Sequence, residues 1–289
     1  MDFDIALVLV ILTFVSGIIW ALDKLLWEKD RHAKQQAAIE SKGKDINDQE
    51  RDALLADPIL IDYAKSLFPI FFIVLVLRSF IFEPFRIPSQ SMMPNLWVGD
   101  FILVNKFSYG VRLPVLNTEI FDTGKPVNGD VAVFRYPVKP SINFIKRVIG
   151  IPGDHVVYRN KMLYINGKPM PQKLIGPYQG EGSGEKMTRV QASQKNEDLL
   201  GAKHDILLVP GKPDMSHMYF SSFYNQGYID LVVPEGQYFV MGDNRDESHD
   251  SRFWGLVPEA NLVGKAFMIW FNWDVGHGLF WERIGNTIE

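Results

Sequence analysis

The stretch Glu83–Gly110, EPFRIPSQSMMPNLWVGDFILVNKFSYG, decides how this chain is read. Pro84, Pro88 and Pro94 each push the residue before them towards an extended backbone. They make a stiff lead into Ser89-Gln90-Ser91, with Met92 and Met93 behind it. Two hydroxyls two residues apart, fenced by apolar side chains, suit a nucleophile and a helper. The same run also reads as a polar turn ahead of a strand. A serine is a weak nucleophile until a base activates it, so the first reading requires a base elsewhere.

Downstream, from Trp97 onward, the texture is β. Phe101–Val104, Val131–Phe134, Ile142–Ile149, His155–Tyr158, Met162–Ile165, Tyr238–Met241 and Ala266–Phe271 are short β-branched or aromatic runs, mostly separated by Gly, Pro, Asn or Asp. Asn166-Gly167 is a hairpin signal. Pro171 to Gln237 is Gly- and Ser-rich, dense in turn residues and weakly periodic, and reads as an insertion or smaller lobe. The expected fold is mainly β, antiparallel sheets forming a core with that lobe at about 171–237, within a domain spanning 83–289.

Upstream lie two apolar segments. Ile5–Leu22 is interrupted only by Thr13, Ser16 and Gly17, long enough to span a bilayer. Its lead, Met1-Asp2-Phe3-Asp4, lacks the basic residues of a cleavable signal peptide, and its exit contains Trp20 and Leu22, so residues 3–22 are expected to be a transmembrane anchor. Leu67–Leu77 is shorter; extended to residues 59–82 it reaches membrane length while including Asp62, Lys65 and Arg78. Asp62 and Lys65 can share a helix face, and Arg78 can snorkel to the interface. A buried core helix is the competing reading. Residues 23–58 carry seven Lys or Arg against none before the first span, which places this loop in the cytoplasm and the domain after Phe82 outside. The loop's Gln35–Arg51 is polar enough to be disordered or a solvated helix.

Composition excludes several classes. The 289 residues carry a net charge of −4, so no basic field points to nucleic acid. With no cysteine there is no disulfide, thiolate nucleophile or cysteine-bound metal. The six histidines (His32, His155, His204, His217, His249 and His277) show no metal-ligand spacing, and each is expected at the surface. Asp246, Ser248 and Asp250 match the first three ligand positions of a calcium loop, but Ser251 and Val257 stand where that loop needs Gly and Glu, so no metal is expected. The loop Gly242–Gly255 is instead expected to pair Asp243, Asp246 and Asp250 with Arg245 and Arg252.

A lysine can be the missing base if desolvation lowers its pKa. Period-two reading of Ile142–Ile149 puts Phe144, Lys146 and Val148 on one strand face and Ile145, Arg147 and Ile149 on the other. Lys146 is therefore flanked by apolar neighbours; the alternative is a lysine reaching solvent from an edge strand.

Together these segments resemble bacterial type I signal peptidase, a membrane-bound serine protease that removes signal peptides from exported preproteins. Pro88–Leu96 is similar to the family's nucleophile box, Gly99–Gly110 to the strand after it, Gly129–Phe134 and Lys146–Asp154 to the lysine box, and Gly242–Gly255 to the last box. The resemblance covers about residues 59–271 and is weak in the insertion. It implies Ser91 as nucleophile and Lys146 as general base. It also implies an oxyanion hole from the Ser91 amide and the Ser89 hydroxyl, with Ser248 hydrogen-bonded to the lysine. Phe85, Ile87 and Ile145 would line pockets for the two small residues of an Ala-x-Ala-like cleavage motif. The substrate would lie along Glu83–Ile87 as an added strand, and Met92, Met93 and Trp97 would dip into the lipid bilayer. No cofactor is implied, and the location would be the inner membrane with the domain on the periplasmic side. The chain departs from the family where the usual Gly between the two serines is Gln90, a residue less tolerant of unusual torsions.

Two other classes share parts of this pattern. A self-cleaving Ser–Lys repressor would carry a DNA-binding helix-turn-helix where this chain has Ile5–Leu22. A non-catalytic periplasmic β domain on an anchor would have no use for Ser91, Lys146 and Ser248 in these settings.

Overall fold

The computed structural model describes residues 5–42, 47–113, 118–214, 218, 220, 222–225 and 227–289, so His217 lies outside the described residues. Two compact units emerge: one runs to Ile81 and also takes in the short segment beginning at Arg112, and the other holds Phe82–Val111 and Glu119–Glu289.

The first unit is helical. The apolar run Ile5–Leu22 forms a helix that does not stop at Asp23: a wider turn over Asp23–Trp27 leads into Glu28–Lys42, so the described part of the loop takes the helical of the two forms expected for it. A further short helix, Asp48–Leu55, is capped by the Asn47 side chain accepting from the Glu50 amide. The helix Ile59–Val76 continues to Ile81, and Phe82 already belongs to a strand. Two helical stretches, Ala6–Ser41 and Ile59–Ile81, are long and apolar enough to cross a membrane. They pack through Gly17 and Trp20 against Phe68. The expected Asp62–Lys65 pair does not form. Lys65 instead reaches Asp57 at 2.8 Å and Asp23 at 3.5 Å, because its face of the helix meets the buried Asp23 and its partner Arg31.

The second unit is β. Seven antiparallel strands run in the order Phe82–Arg86, Asp100–Asn105, Leu262–Asn272, Val131–Arg135, Asn143–Gly150, Gln237–Met241 and Val257–Pro258. Alternation drives the pairing: Ile102 and Val104 point into one apolar cluster with Ile87, Val131, Val133 and Ile145. Residues of the opposite parity, Ala132, Phe134 and Val148, join Tyr238, Val240 and Trp254 in another. Bulges bend the long strand Leu262–Asn272, which lets the sheet curl. A five-stranded sheet contains His155–Arg159 and Met162–Ile165, whose hairpin to Lys168–Pro169 closes at Asn166-Gly167.

The insertion is more regular than its composition predicts. Gln172–Pro177, Ser193–Leu199 and Ala202–Leu208 form a three-stranded antiparallel sheet. Its last part, Tyr228–Val232, returns to pair with His155–Arg159, burying Ile229 and Leu231 on alternate positions.

Candidate active site

Ser91 sits in a single 3-10 turn, Gln90–Met92, entered from the extended Ser89. The preceding segment is anchored to the sheet by the Ile87 amide, 2.8 Å from the Asp100 carbonyl. Behind Ser91 the Asn244 amide donates to its carbonyl at 3.1 Å, and the Asn244 side chain donates to the Gln90 carbonyl at 3.1 Å. Gly242 makes this approach possible. A Cβ there would stand 2.4 Å from the Ser91 carbonyl oxygen and 2.3 Å from Ser248 Oγ, so no larger residue fits without displacing the turn.

Lys146 lies in the strand Asn143–Gly150, opposite Ala132. Its Nζ is 2.7 Å from Ser91 Oγ and donates at 2.8 Å to the Ile145 carbonyl. It is 4% exposed and Ser91 is 7% exposed. The ammonium lies 5.5 Å from the centre of the Phe144 ring. Burial pushes the Lys146 pKa down to about 8, even though Asp250 and Asp243 draw it back up; the nearby Arg252 adds to the lowering.

The other expected site residues divide. Ser89 Oγ is 3.3 Å from Ser91 Oγ. Ile87 and Ile145 share one apolar cluster, with Phe85 packed against it. Ser248 is a correction: its hydroxyl forms no hydrogen bond to Lys146. It is buried close beside Gly242, near the Asp250 carboxylate, and the lysine donates to the Ile145 carbonyl instead. Met92 and Met93 are corrected as well, since both are 0% exposed. The turn sends Met92 into the cluster with Ile87 and Leu96, and Met93 into another with Tyr178 and Met187. Trp97 is half-buried, edge-on to Phe280 and covered by the Arg283 guanidinium. Neither methionine is free to enter a bilayer.

The charged loop is a network, with partners other than those expected. Among the ion pairs of the described residues, Asp250–Arg252 is internal to it, at 2.8 Å. Asp243 binds Arg147, Asp246 binds Lys161, and Arg245 binds Glu197 of the insertion. Burial pushes the Asp243 and Asp250 carboxyls up, but Arg147 and Arg252 respectively outweigh it and hold both below the usual range. His204 is not at the surface: at 4% exposure it lies 3.4 Å from Glu197, whose buried carboxylate supplies its partner. His249 is exposed, stacks on Phe253 and makes no hydrogen bond to Ser91.

Sequence reasoning passed over Arg147, Asn95 and Asn244. Arg147 was detectable: an arginine between Ile145 and Ile149 on an apolar strand face needs a buried acid. Asn95, which donates to Asp243 at 2.6 Å, and Asn244 carried no distinguishing signal.

A family model described as "Signal peptidase, peptidase S26" matches residues 60–273. The chain is 44% identical over 287 residues to signal peptidase I of Pseudomonas aeruginosa, covering 94% of each chain. It is 44% identical over 302 residues to that of Pseudomonas fluorescens, covering 99% of each. Against signal peptidase I of Buchnera aphidicola (subsp. Schizaphis graminum) the identity is 38% over 312 residues, covering 95% of this chain and 96% of the other.

Proposed function

The chain belongs to the signal peptidase family, peptidase S26, and on that premise we propose that it is a membrane-bound endopeptidase removing signal peptides from exported preproteins, with Ser91 as nucleophile and Lys146 as general base. The observation that carries the reading is the 2.7 Å contact between Lys146 Nζ and Ser91 Oγ, made between two buried side chains.

Neutral Lys146 takes the Ser91 hydroxyl proton as Oγ attacks the scissile carbonyl. The developing oxyanion is met by the Ser91 amide and the Ser89 hydroxyl, donors fixed before reaction so that little reorganisation opposes the step. The lysine then protonates the leaving amine. It next accepts a proton from a water that attacks the Ser91 ester, and the acid product departs with Oγ reprotonated. Burial supports the role of base, since a lysine near a pKa of 8 is largely deprotonated in mildly alkaline solution.

The preprotein lies extended along Glu83–Ile87. In support, the strand Phe82–Arg86 ends its sheet, with Asp100–Asn105 on one side only among the described residues. Phe85, Ile87 and Ile145 leave room for short side chains before the cut, an Ala-x-Ala-like preference. The two apolar helices anchor the chain, the Lys- and Arg-rich loop 23–58 faces the cytoplasm, and residues 83–289 work on the periplasmic side of the inner membrane. Protease added to intact spheroplasts should digest the region after Phe82 and spare the loop; the reverse pattern contradicts this topology.

The decisive test incubates purified protein with a preprotein and sequences the new N-terminus. Cleavage immediately after the small-residue motif, abolished in Ser91→Ala, is expected. Uncut preprotein, or cutting that survives Ser91→Ala, rejects the reading.

A further inference from the structure

We infer that Gln90 is a positioning residue for this reaction, tying the turn that carries Ser91 to the inserted segment; the inference rests on the Ser91–Lys146 reading above. The Gln90 side chain donates from Nε2 to the Ser183 carbonyl. Ser183 is itself held: its amide and its hydroxyl each donate at 2.7 Å to the carboxylate of Asp274, a buried side chain. A chain of three residues, Gln90 to Ser183 to Asp274, thus joins segments about 90 residues apart in sequence.

The other flank of Ser91 is gripped by the same insertion. Met93 is fully enclosed by Tyr178, Met187, Ala192 and Leu207. Gly184, next to Ser183, comes so close that a Cβ there would lie 2.9 Å from Met93 Cε.

Two attachments are needed to orient a single 3-10 turn. Asn244 supplies one, holding the Gln90 and Ser91 carbonyls from behind. The Gln90 and Met93 side chains supply the second, through different partners. Without the Gln90 link, the N-terminal end of the turn keeps its carbonyl bonds to Asn244 while the methionines hold only the far end, and Oγ can shift away from Lys146 and the scissile carbonyl. A displacement near 1 Å can cost roughly a hundredfold in rate. The glycine that the family resemblance leads one to expect at this position has no side chain to make the link.

The test uses the full-length chain, a preprotein substrate, and the variants Gln90→Ala, Gln90→Glu, Asp274→Ala and the double Gln90→Ala/Asp274→Ala, with Ser91→Ala alongside. Gln90 is only half-buried, so truncation opens no core cavity and the thermal unfolding midpoint should not move. Gln90→Ala should lower kcat roughly ten- to a hundredfold and leave KM unchanged, the mark of lost transition-state alignment. Gln90→Glu should do no better, because a carboxylate cannot donate to the Ser183 carbonyl. Asp274→Ala should lower kcat, and the double variant should be no worse than Gln90→Ala, since both substitutions cut one chain. Wild-type kcat in Gln90→Ala, multiplied losses in the double variant, or a kcat loss matched by a fallen midpoint would each overturn the inference. Absence of cleavage by the wild type, or cleavage persisting in Ser91→Ala, would instead overturn the parent reading and this inference with it.

Discussion

Arg147 grips both carboxylate oxygens of Asp243, with Nε 2.8 Å from Oδ1 and Nη2 2.9 Å from Oδ2, and both side chains are withdrawn from solvent. Its remaining nitrogen donates to the Gly129 and Glu289 carbonyls, at 2.7 and 2.6 Å. The pair joins the residue beside Lys146 to the residue beside Asn244. It therefore sets the spacing between the strand that carries the proposed base and the loop that backs the proposed nucleophile.

Removing either partner leaves an uncompensated buried charge. Arg147→Met and Asp243→Asn should each destabilise the β unit by about 3–5 kcal/mol at neutral pH, measured by chemical denaturation. The pH dependence follows from the lowered carboxyls of Asp243, Asp250 and Glu197. A carboxyl whose folded pKa is depressed contributes stability above its unfolded value, and that stability is lost as pH falls through the folded value. Wild-type stability should therefore fall off below about pH 4, and Asp243→Asn should flatten that slope. An unchanged acid limb in Asp243→Asn would contradict the pairing.

Lys146 runs the other way. Its folded pKa of about 8 lies below that of an exposed lysine, so the fold carries a penalty for holding its charge. The penalty is full below pH 8 and is relieved as pH rises towards the unfolded value near 10.5. Its size is on the order of 3 kcal/mol. Lys146→Met keeps the apolar stem and should raise the unfolding midpoint at pH 7 while lowering kcat by orders of magnitude. Lys146→Arg should restore nothing, since a guanidinium stays protonated in this range. A Lys146→Met protein that is less stable, or nearly as active as wild type, would show that the lysine is structural.

The pairing of Ser91 with Lys146 is implied by the resemblance of their two boxes to the family; the residues alone leave Ser89–Ser91 open as a polar turn and Lys146 open as a solvent-facing lysine. The main strands lie close to where alternation puts them. What escaped were features set by distant segments. Whether Met93 faces lipid or core depends on the insertion, whose cluster around Tyr178 and Met187 encloses it. The partners of Arg245 and His204 converge on Glu197, an acid in a stretch with no periodic signature. Charge pairs were guessed within one loop because sequence proximity was the only available guide, while tertiary packing sent Asp243 and Asp246 to Arg147 and Lys161.

Substrate preference tests the apolar cluster of Phe85, Ile87 and Ile145. Replacing alanine immediately before the cut by leucine should lower kcat/KM by at least roughly a hundredfold, since one side chain's misfit both clashes and displaces the scissile bond. Equal turnover of the two preproteins would rule out these residues as the pocket.

The most direct measurement of the central claim is the site and pH dependence of acylation. The protein is treated with a serine-reactive acylating inhibitor, digested, and the adduct mapped by mass spectrometry across a pH series. The account predicts one adduct, on Ser91, forming at a rate that rises along a single limb centred near the Lys146 pKa of about 8 and collapsing in Lys146→Met. An adduct on another residue, or Ser91 labelling at an undiminished rate in Lys146→Met, would contradict it.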